Sequence, residues 1–233
     1  ARLVFSGEWV MKAFIRVAPL VVIIMSFAMI AQAAMIDITR PGDPVAIVNG
    51  VNQGPDGDAG PPPAAEDIEN AINDIGQKYL NFVDLFSGFS VTPSANPGNL
   101  PVTGLRLYTA NDAVDRDPAS FVLYGSNTGL EADDWIVIAS GNLALPDGRN
   151  AGGEEVAIPP TGNAAAVQQE VLFEYNTDSF AHYQLIFPTL KNAQAANSMQ
   201  IAEVEFLAVP EPASASMAVV AVLGLVSLLR RRR

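Results

Sequence analysis

The sequence predicts an all-β fold, an antiparallel jelly-roll β-sandwich, between two hydrophobic end segments. From residue 102 onward short runs of β-branched and aromatic residues recur, divided by Gly, Pro, Asn and Asp. Several runs alternate, as in Leu105-Arg106-Leu107-Tyr108 and Ile201-Ala202-Glu203-Val204-Glu205-Phe206, so one set of side chains faces a core and the other faces solvent. The long apolar stretches sit only near the two ends, and these are set aside before any fold is inferred.

The strand candidates are 45–48, 82–91, 102–109, 120–124, 135–139, 170–175, 182–187 and 200–207. Eight such segments suit a jelly roll. A helical turn is expected over 65–72, where Ala, Glu and Ile dominate. Residues 50–63 and 146–162 are rich in Gly and Pro with few bulky apolar side chains, so they read as loops. No internal repeat is evident.

Residues 11–33 read as a secretion signal: Lys12 and Arg16 open it, an apolar run follows, and Ala31-Gln32-Ala33 gives the small-residue cleavage pattern, with cutting after Ala33. A retained anchor is the other reading, but the run is short for a span. Residues 1–10 precede a complete signal and read as an upstream extension, with Met11 as the start.

Residues 209–233 combine Pro210-Glu211-Pro212, an uncharged stretch from Ala213 to Leu229, and Arg230, Arg231, Arg232 and Arg233. Seventeen helical residues rise about 25 Å against a hydrocarbon core of about 30 Å, and the arginines fix that end on the cytoplasmic side. The two prolines keep the motif extended and open to a processing enzyme.

Composition narrows the chemistry. Between Ala34 and Val209 six bases stand against 23 acids, a net charge of -17. Such a surface repels phosphate backbones, which excludes a nucleic-acid partner and leaves cations and neutral polar ligands such as sugars. The chain has no cysteine and one histidine, so disulfides, thiol nucleophiles and Cys-zinc sites are out, and only carboxylates remain for hard cations. No Gly-x-Ser-x-Gly elbow occurs, and His182 lies inside an aromatic strand candidate, where packing or a surface position is expected. Residues 111–117 concentrate Asp112, Asp115, Arg116 and Asp117. That loop is either solvated, with Arg116 tethered to a neighbouring carboxylate, or a place for a cation or hydroxyls; a hydrolase would have to draw on its three acids.

The tail resembles the PEP-CTERM sorting signal of Gram-negative bacteria, which implies an exosortase that recognises Pro210-Glu211-Pro212 and removes the helix and arginines. Signal peptidase and exosortase would then be maturation partners, with an inner-membrane-anchored precursor delivering residues 34–208 to the cell surface or extracellular matrix. The central region resembles the discoidin-like, or galactose-binding-like, jelly roll. The residues that carry this are Asp74 to Phe82, Ser120-Phe121-Val122-Leu123-Tyr124-Gly125-Ser126-Asn127, Trp135-Ile136-Val137-Ile138-Ala139-Ser140-Gly141, His182-Tyr183-Gln184-Leu185-Ile186-Phe187 and Ile201 to Phe206. The chain departs from animal discoidin domains in lacking their bracketing cysteines and in having Asn73-Asp74-Ile75-Gly76 where Asp-Gly-Asp is usual.

That resemblance implies a structural calcium held by Asp74 and Glu203 with backbone oxygens around Gln77. On the residues alone, Asp74 reads equally as a turn residue and Glu203 as an exposed strand position. The implied function is non-catalytic recognition of carbohydrate, extracellular polysaccharide included; the alternative is a structural matrix or surface component with no small ligand. No ligand-binding residue is assigned by the sequence.

Overall fold

The computed structural model describes residues 34–48, 62–96, 99–152, 157–158, 164–173 and 176–210. Apart from Ala34 these belong to one compact unit, Met35–Pro210. Its strands are β1 (Ile36–Asp37), β2 (Val45–Val48), β3 (Tyr79–Asn81), β4 (Ser87–Val91), β5 (Val102–Tyr108), β6 (Ser120–Ser126), β7 (Ile136–Asn142), β8 (Gln168–Leu172), β9 (His182–Phe187), β10 (Met199–Ile201) and β11 (Glu203–Ala208). One sheet runs β1-β11-β5-β8, the other runs β2-β4-β9-β6-β7, and β10 pairs with β3 alone. Every pairing is antiparallel. The chain switches between the two larger sheets from β1 to β2, β4 to β5, β5 to β6, β7 to β8, and β8 to β9, the interleaved connectivity expected of a jelly roll.

The core is made by the inward side chains of both sheets: Phe89 and Val91 of β4, Leu105 and Leu107 of β5, Leu123 of β6, Tyr183, Leu185 and Phe187 of β9, and Val204 and Phe206 of β11. Aromatic rings run through it in sequence. Tyr79 meets Phe89 at 6.3 Å, Phe89 meets Phe206 at 6.1 Å, Phe206 meets Tyr183 at 5.9 Å, and Tyr183 meets Phe180 at 6.3 Å. Three of the four contacts are edge-on, the arrangement the ring quadrupoles favour. Burying the Tyr79 hydroxyl is made tolerable by its hydrogen bond to the Gly88 carbonyl (3.1 Å) and by the Asn81 amide that donates to it (2.7 Å).

Four expectations change. Eleven short strands replace eight, because β1 and β3 were too short to show as apolar runs and because Ala202 divides the predicted 200–207 strand into β10 and β11. Residues 82–91 are not one strand: Asp84 and Phe86 take left-handed backbone angles (φ 62° and 58°), so a turn precedes β4. The expected helical turn is two 3-10 turns, Ala64–Glu66 and Ile68–Ile72. Most important, β11 is buried on both faces, so Glu203 and Glu205, which alternation places in solvent, are 1% and 5% exposed.

Among the described residues no helix is long and apolar enough to cross a membrane. The predicted signal and sorting helix, with Ala31, Ala33, Glu211, Pro212 and Arg230 to Arg233, lie outside the described residues, as does most of the predicted 50–63 loop. Pro210 is the last described residue, two positions beyond the end of β11.

Candidate functional site

Asp74 and Glu203 are 129 residues apart in sequence and meet in the fold. The 3-10 turn Ile68–Ile72 delivers Asp74 in a left-handed conformation (φ 62°), and its backbone N–H donates to Glu203 Oε2 at 2.9 Å. The Asp74 carbonyl accepts from Ile158 N at 2.8 Å, which helps lay residues 157–158 beside this edge. The other Glu203 oxygen, Oε1, is buried with no hydrogen-bond partner.

Burial pushes the Glu203 carboxyl well above the usual carboxylate range; the Asp74 amide opposes this, while the charges of Asp74, Asp37 and Glu205 add to it. Asp37 is raised to about 6, chiefly by burial, against hydrogen bonds from Thr39. Asp74 is raised by burial and held back by Arg40. Glu205 has a different environment. It pairs with Arg106, accepts from the Tyr108 hydroxyl at 2.8 Å, and Arg106 also reaches Glu170, its register partner on β8, at 2.9 Å.

Among the described residues no group of three or more His, Cys, Asp or Glu is arranged to hold a metal. A hard cation would satisfy the orphaned Glu203 Oε1, one of the six to eight oxygens such an ion takes, whereas Asp74 meets Glu203 through its backbone N–H. The remaining ligands would be carbonyls or water.

A second surface lies on the outer face of the five-stranded sheet, at the end where β9 begins. His182 shares a 2.7 Å hydrogen bond between Nδ1 and Thr92 Oγ1, and Ser126 stands opposite it in register on β6. Ser126 Oγ donates to Asp134 Oδ1 at 2.7 Å, and Thr128 Oγ1 donates to the same oxygen at 2.8 Å. These hydroxyls hold the exposed Asp134 carboxyl below its ordinary range, that of Ser126 foremost. Trp135, partly exposed, follows at the entry to β7. Ser126 is itself buried, so the groups open to solvent are the partly exposed Thr92 hydroxyl and His182 imidazole and the exposed Thr128 hydroxyl and Asp134 carboxylate, with Trp135 next in the chain.

Three loops are tied together around this row. Ser90 Oγ donates to the Leu130 carbonyl at 2.9 Å, which folds the β6–β7 loop back over β9 to reach β4. Asn127 Oδ1 accepts from Ala181 N at 2.9 Å, and Asn99 Nδ2 donates to Ser179 Oγ at 3.1 Å, joining the β6–β7 and β4–β5 loops to the β8–β9 loop. Gly125 makes room for Phe180, since a Cβ there would lie 2.2 Å from its ring; this seats the β8–β9 loop against β6. Nothing local in the sequence signals this convergence. Its only trace is the clustering of Asn127, Thr128, Asp133, Asp134 and Trp135 in one connection.

The opposite end is charge-saturated. Asp112 accepts from Lys78 Nζ at 2.8 Å, and the fully buried Asp117 takes Arg149 at 2.7 Å and Lys191 at 3.2 Å. The expected partner, Arg116, makes none of these bonds. Asp115 contributes its carbonyl, to Asn192 N at 3.1 Å. Two of the three acids a hydrolase would need are thus engaged in ion pairs.

No protein-family model and no curated protein sequence matches the chain. Solved structures do resemble it. A structure holding two carbohydrate-binding modules and the catalytic domain of Clostridium perfringens ZmpB matches with TM-score 0.49 at 15% identity, covering 75% of this chain and 15% of that one. The family 32 carbohydrate-binding module of C. perfringens NanJ, in complex with galactose, matches with TM-score 0.46 at 12% identity, covering 75% and 99%. An F5/8 type C domain from Bacteroides fragilis matches with TM-score 0.49 at 12% identity, covering 78% and 99%. At these scores the likenesses say nothing of what this chain binds.

The buried acids set a pH signature. In the unfolded chain Asp37 and Glu203 ionise near 3.8 and 4.5, whereas the folded protein holds their protons to higher pH, so the folded state binds more protons and stability falls as pH rises. In chelator, the melting temperature of wild type relative to Asp37→Asn should fall between about pH 4 and 6, and relative to Glu203→Gln it should fall as pH rises above the ordinary glutamate range. Parallel melting profiles for wild type and both variants would contradict the assignment.

Proposed function

We propose that residues 34–208 form a non-catalytic carbohydrate-binding domain that takes a neutral glycan on the outer face of the five-stranded sheet, at the His182 end. The observation that carries the reading is the row of Thr92, His182, Ser126 and Asp134 beside Trp135, held under three cross-linked loops. Sugar hydroxyls both donate and accept, and this row supplies both kinds of partner. An indole offers an apolar face to the C–H side of a pyranose. A net charge of -17 disfavours acidic polymers, so a neutral extracellular polysaccharide is the ligand class. A non-catalytic role is supported by the engagement of Asp112 and Asp117 in ion pairs.

Calcium would serve as a structural ion at Asp74 and Glu203, neutralising carboxylates whose charged forms burial disfavours. The ion would rigidify the junction between the Ile68–Ile72 turn and β11, with no part in sugar contact.

Export completes the proposal. Signal peptidase would cut after Ala33, within the Ala31-Gln32-Ala33 pattern; an exosortase would recognise Pro210-Glu211-Pro212; and Arg230 to Arg233 would hold the precursor in the inner membrane of a Gram-negative bacterium before release to the surface or matrix. The sequence order of these parts supports it, as does the position of Pro210 directly beyond β11.

Two experiments test these readings. On a glycan array and by calorimetry, the 35–210 segment should bind a neutral glycan, and His182→Ala and Trp135→Ala should each weaken that binding at least about tenfold, roughly 1.4 kcal/mol, with unchanged melting temperature. Calcium should raise the melting temperature of wild type and not of Glu203→Gln. Binding that survives both site variants, or no binding to any glycan, overturns the site. For sorting, intact mass from the native host should show loss of residues beyond the motif, and Glu211→Ala should retain them; equal processing of both would refute recognition of the motif.

A further inference from the structure

The chain leaves the folded unit at the same end of the sandwich as the His182 row. Ala208, the last residue of β11, pairs with Ile36 of β1 and with Val102, the first residue of β5. Val102 is fixed to the start of β9 in two ways. Its backbone meets the hydroxyl of Tyr183, the residue after His182, and its carbonyl accepts from Asn176 Nδ2 at 2.8 Å in the β8–β9 connection. The Ile38 carbonyl, just after β1, accepts from Ala95 N at 3.2 Å, three residues beyond Thr92. Packed sheets lie about 10 Å apart, so the row stands about one sheet spacing from the strand by which the chain exits. The ion pairs of Asp117 with Arg149 and Lys191 lie at the far end.

Little chain separates this exit from the expected membrane segment. Only Val209-Pro210-Glu211-Pro212 stand between Ala208 and the uncharged stretch that begins at Ala213. Four residues reach at most about 14 Å when fully extended, and the two prolines restrict how that stretch can turn. For a unit of this length the radius of gyration is about 16 Å, so the tether is shorter than the domain is wide. Anionic headgroups repel the net charge of -17, which pulls the tether taut and leaves the exit end nearest the bilayer.

We infer that the membrane-anchored form turns its His182 end to the bilayer, so that removal of the tail is the step that opens the glycan site to long polymers. This rests on the proposed glycan site and sorting tail, and adds a regulation to them. A short sugar can enter the gap from the side. A long chain needs clearance on both sides of the sugar it presents, and the bilayer denies it that. Engagement of matrix polysaccharide therefore follows processing, and an anchored precursor is kept from binding it before release.

The chain has no cysteine, so a single introduced thiol can report on either end. Ser94→Cys lies at the His182 end and Gln194→Cys on the β9–β10 connection at the other, and both positions are exposed. The chain from Ala34 to Arg233 is reconstituted into phosphatidylethanolamine–phosphatidylglycerol vesicles. Each thiol is then timed against a polymer-length polyethylene glycol maleimide and against N-ethylmaleimide, beside the released 35–210 segment. Anchoring should slow the polymer reagent at position 94 at least about tenfold. Position 194, and the small reagent at both positions, should react as in the released segment. A flexible Gly/Ser insert of about 20 residues, reaching about 25 Å on average, placed between Val209 and Pro210, should restore the rate while the chain still floats with the vesicles. Equal rates at position 94 in anchored and released protein, slowing at position 194 instead, an insert without effect, or a chain that does not float with the vesicles would each overturn the inference. A released segment that binds no glycan would refute the glycan site and leave these rates unchanged, so the two failures are distinguishable.

Discussion

Phe206 packs between Phe89 and Tyr183 at the centre of the sandwich, and the strand that carries it is closed off on its other face as well. This double burial of β11 is the constraint on which the remaining arrangement depends. Inward, Val204 and Phe206 join the two sheets through apolar and aromatic contact. Outward, the strand must place two glutamates where water does not reach. Glu205 solves that with Arg106 and Tyr108, an ion pair whose remaining oxygen is hydrogen-bonded. Glu203 has only the Asp74 amide and acidic neighbours, so one oxygen is left without a partner. A protonated carboxyl or a bound cation are the two ways such a group becomes tolerable, and this is why the calcium question and the pH behaviour of the fold are one question.

The same architecture separates the two ends of the sandwich. At the end where β9 finishes, three of the domain's six bases, Lys78, Arg149 and Lys191, are drawn into ion pairs with Asp112, Asp117 and Asp147, which stitches the long connections together and leaves them little to offer a ligand. At the end where β9 begins, loops are held by neutral amide and hydroxyl bonds instead, and the groups between them are those that can exchange hydrogen bonds with a polyhydroxylated molecule. Rigid neutral cross-links also lower the ordering cost of binding.

How far the sequence reached follows from what each signal encodes. Strands β2 and β9 are found where the apolar runs place them, because a run of alternating or β-branched residues is a local property. Strand β3 is only three residues long and draws its identity from pairing with β10, so no local pattern marks it. Alternation failed at Glu203 and Glu205 because it reports which face a residue is on and not whether something covers that face. The Asp74–Glu203 contact was suggested by resemblance, since nothing local relates residues 129 apart. The His182 row escaped for the same reason: Thr92, Ser126, Asp134 and His182 come from separate connections and strands, and only the sheet register brings them together.

The most direct measurement is a titration of the isotopically labelled 35–210 segment with neutral oligosaccharides, followed by amide chemical shifts. The account predicts saturable changes confined to residues around Thr92, 126–135 and 179–183, with the 109–119 loop unmoved. Changes centred on 109–119, or none with any glycan tried, would contradict the placement of the binding surface at the His182 end.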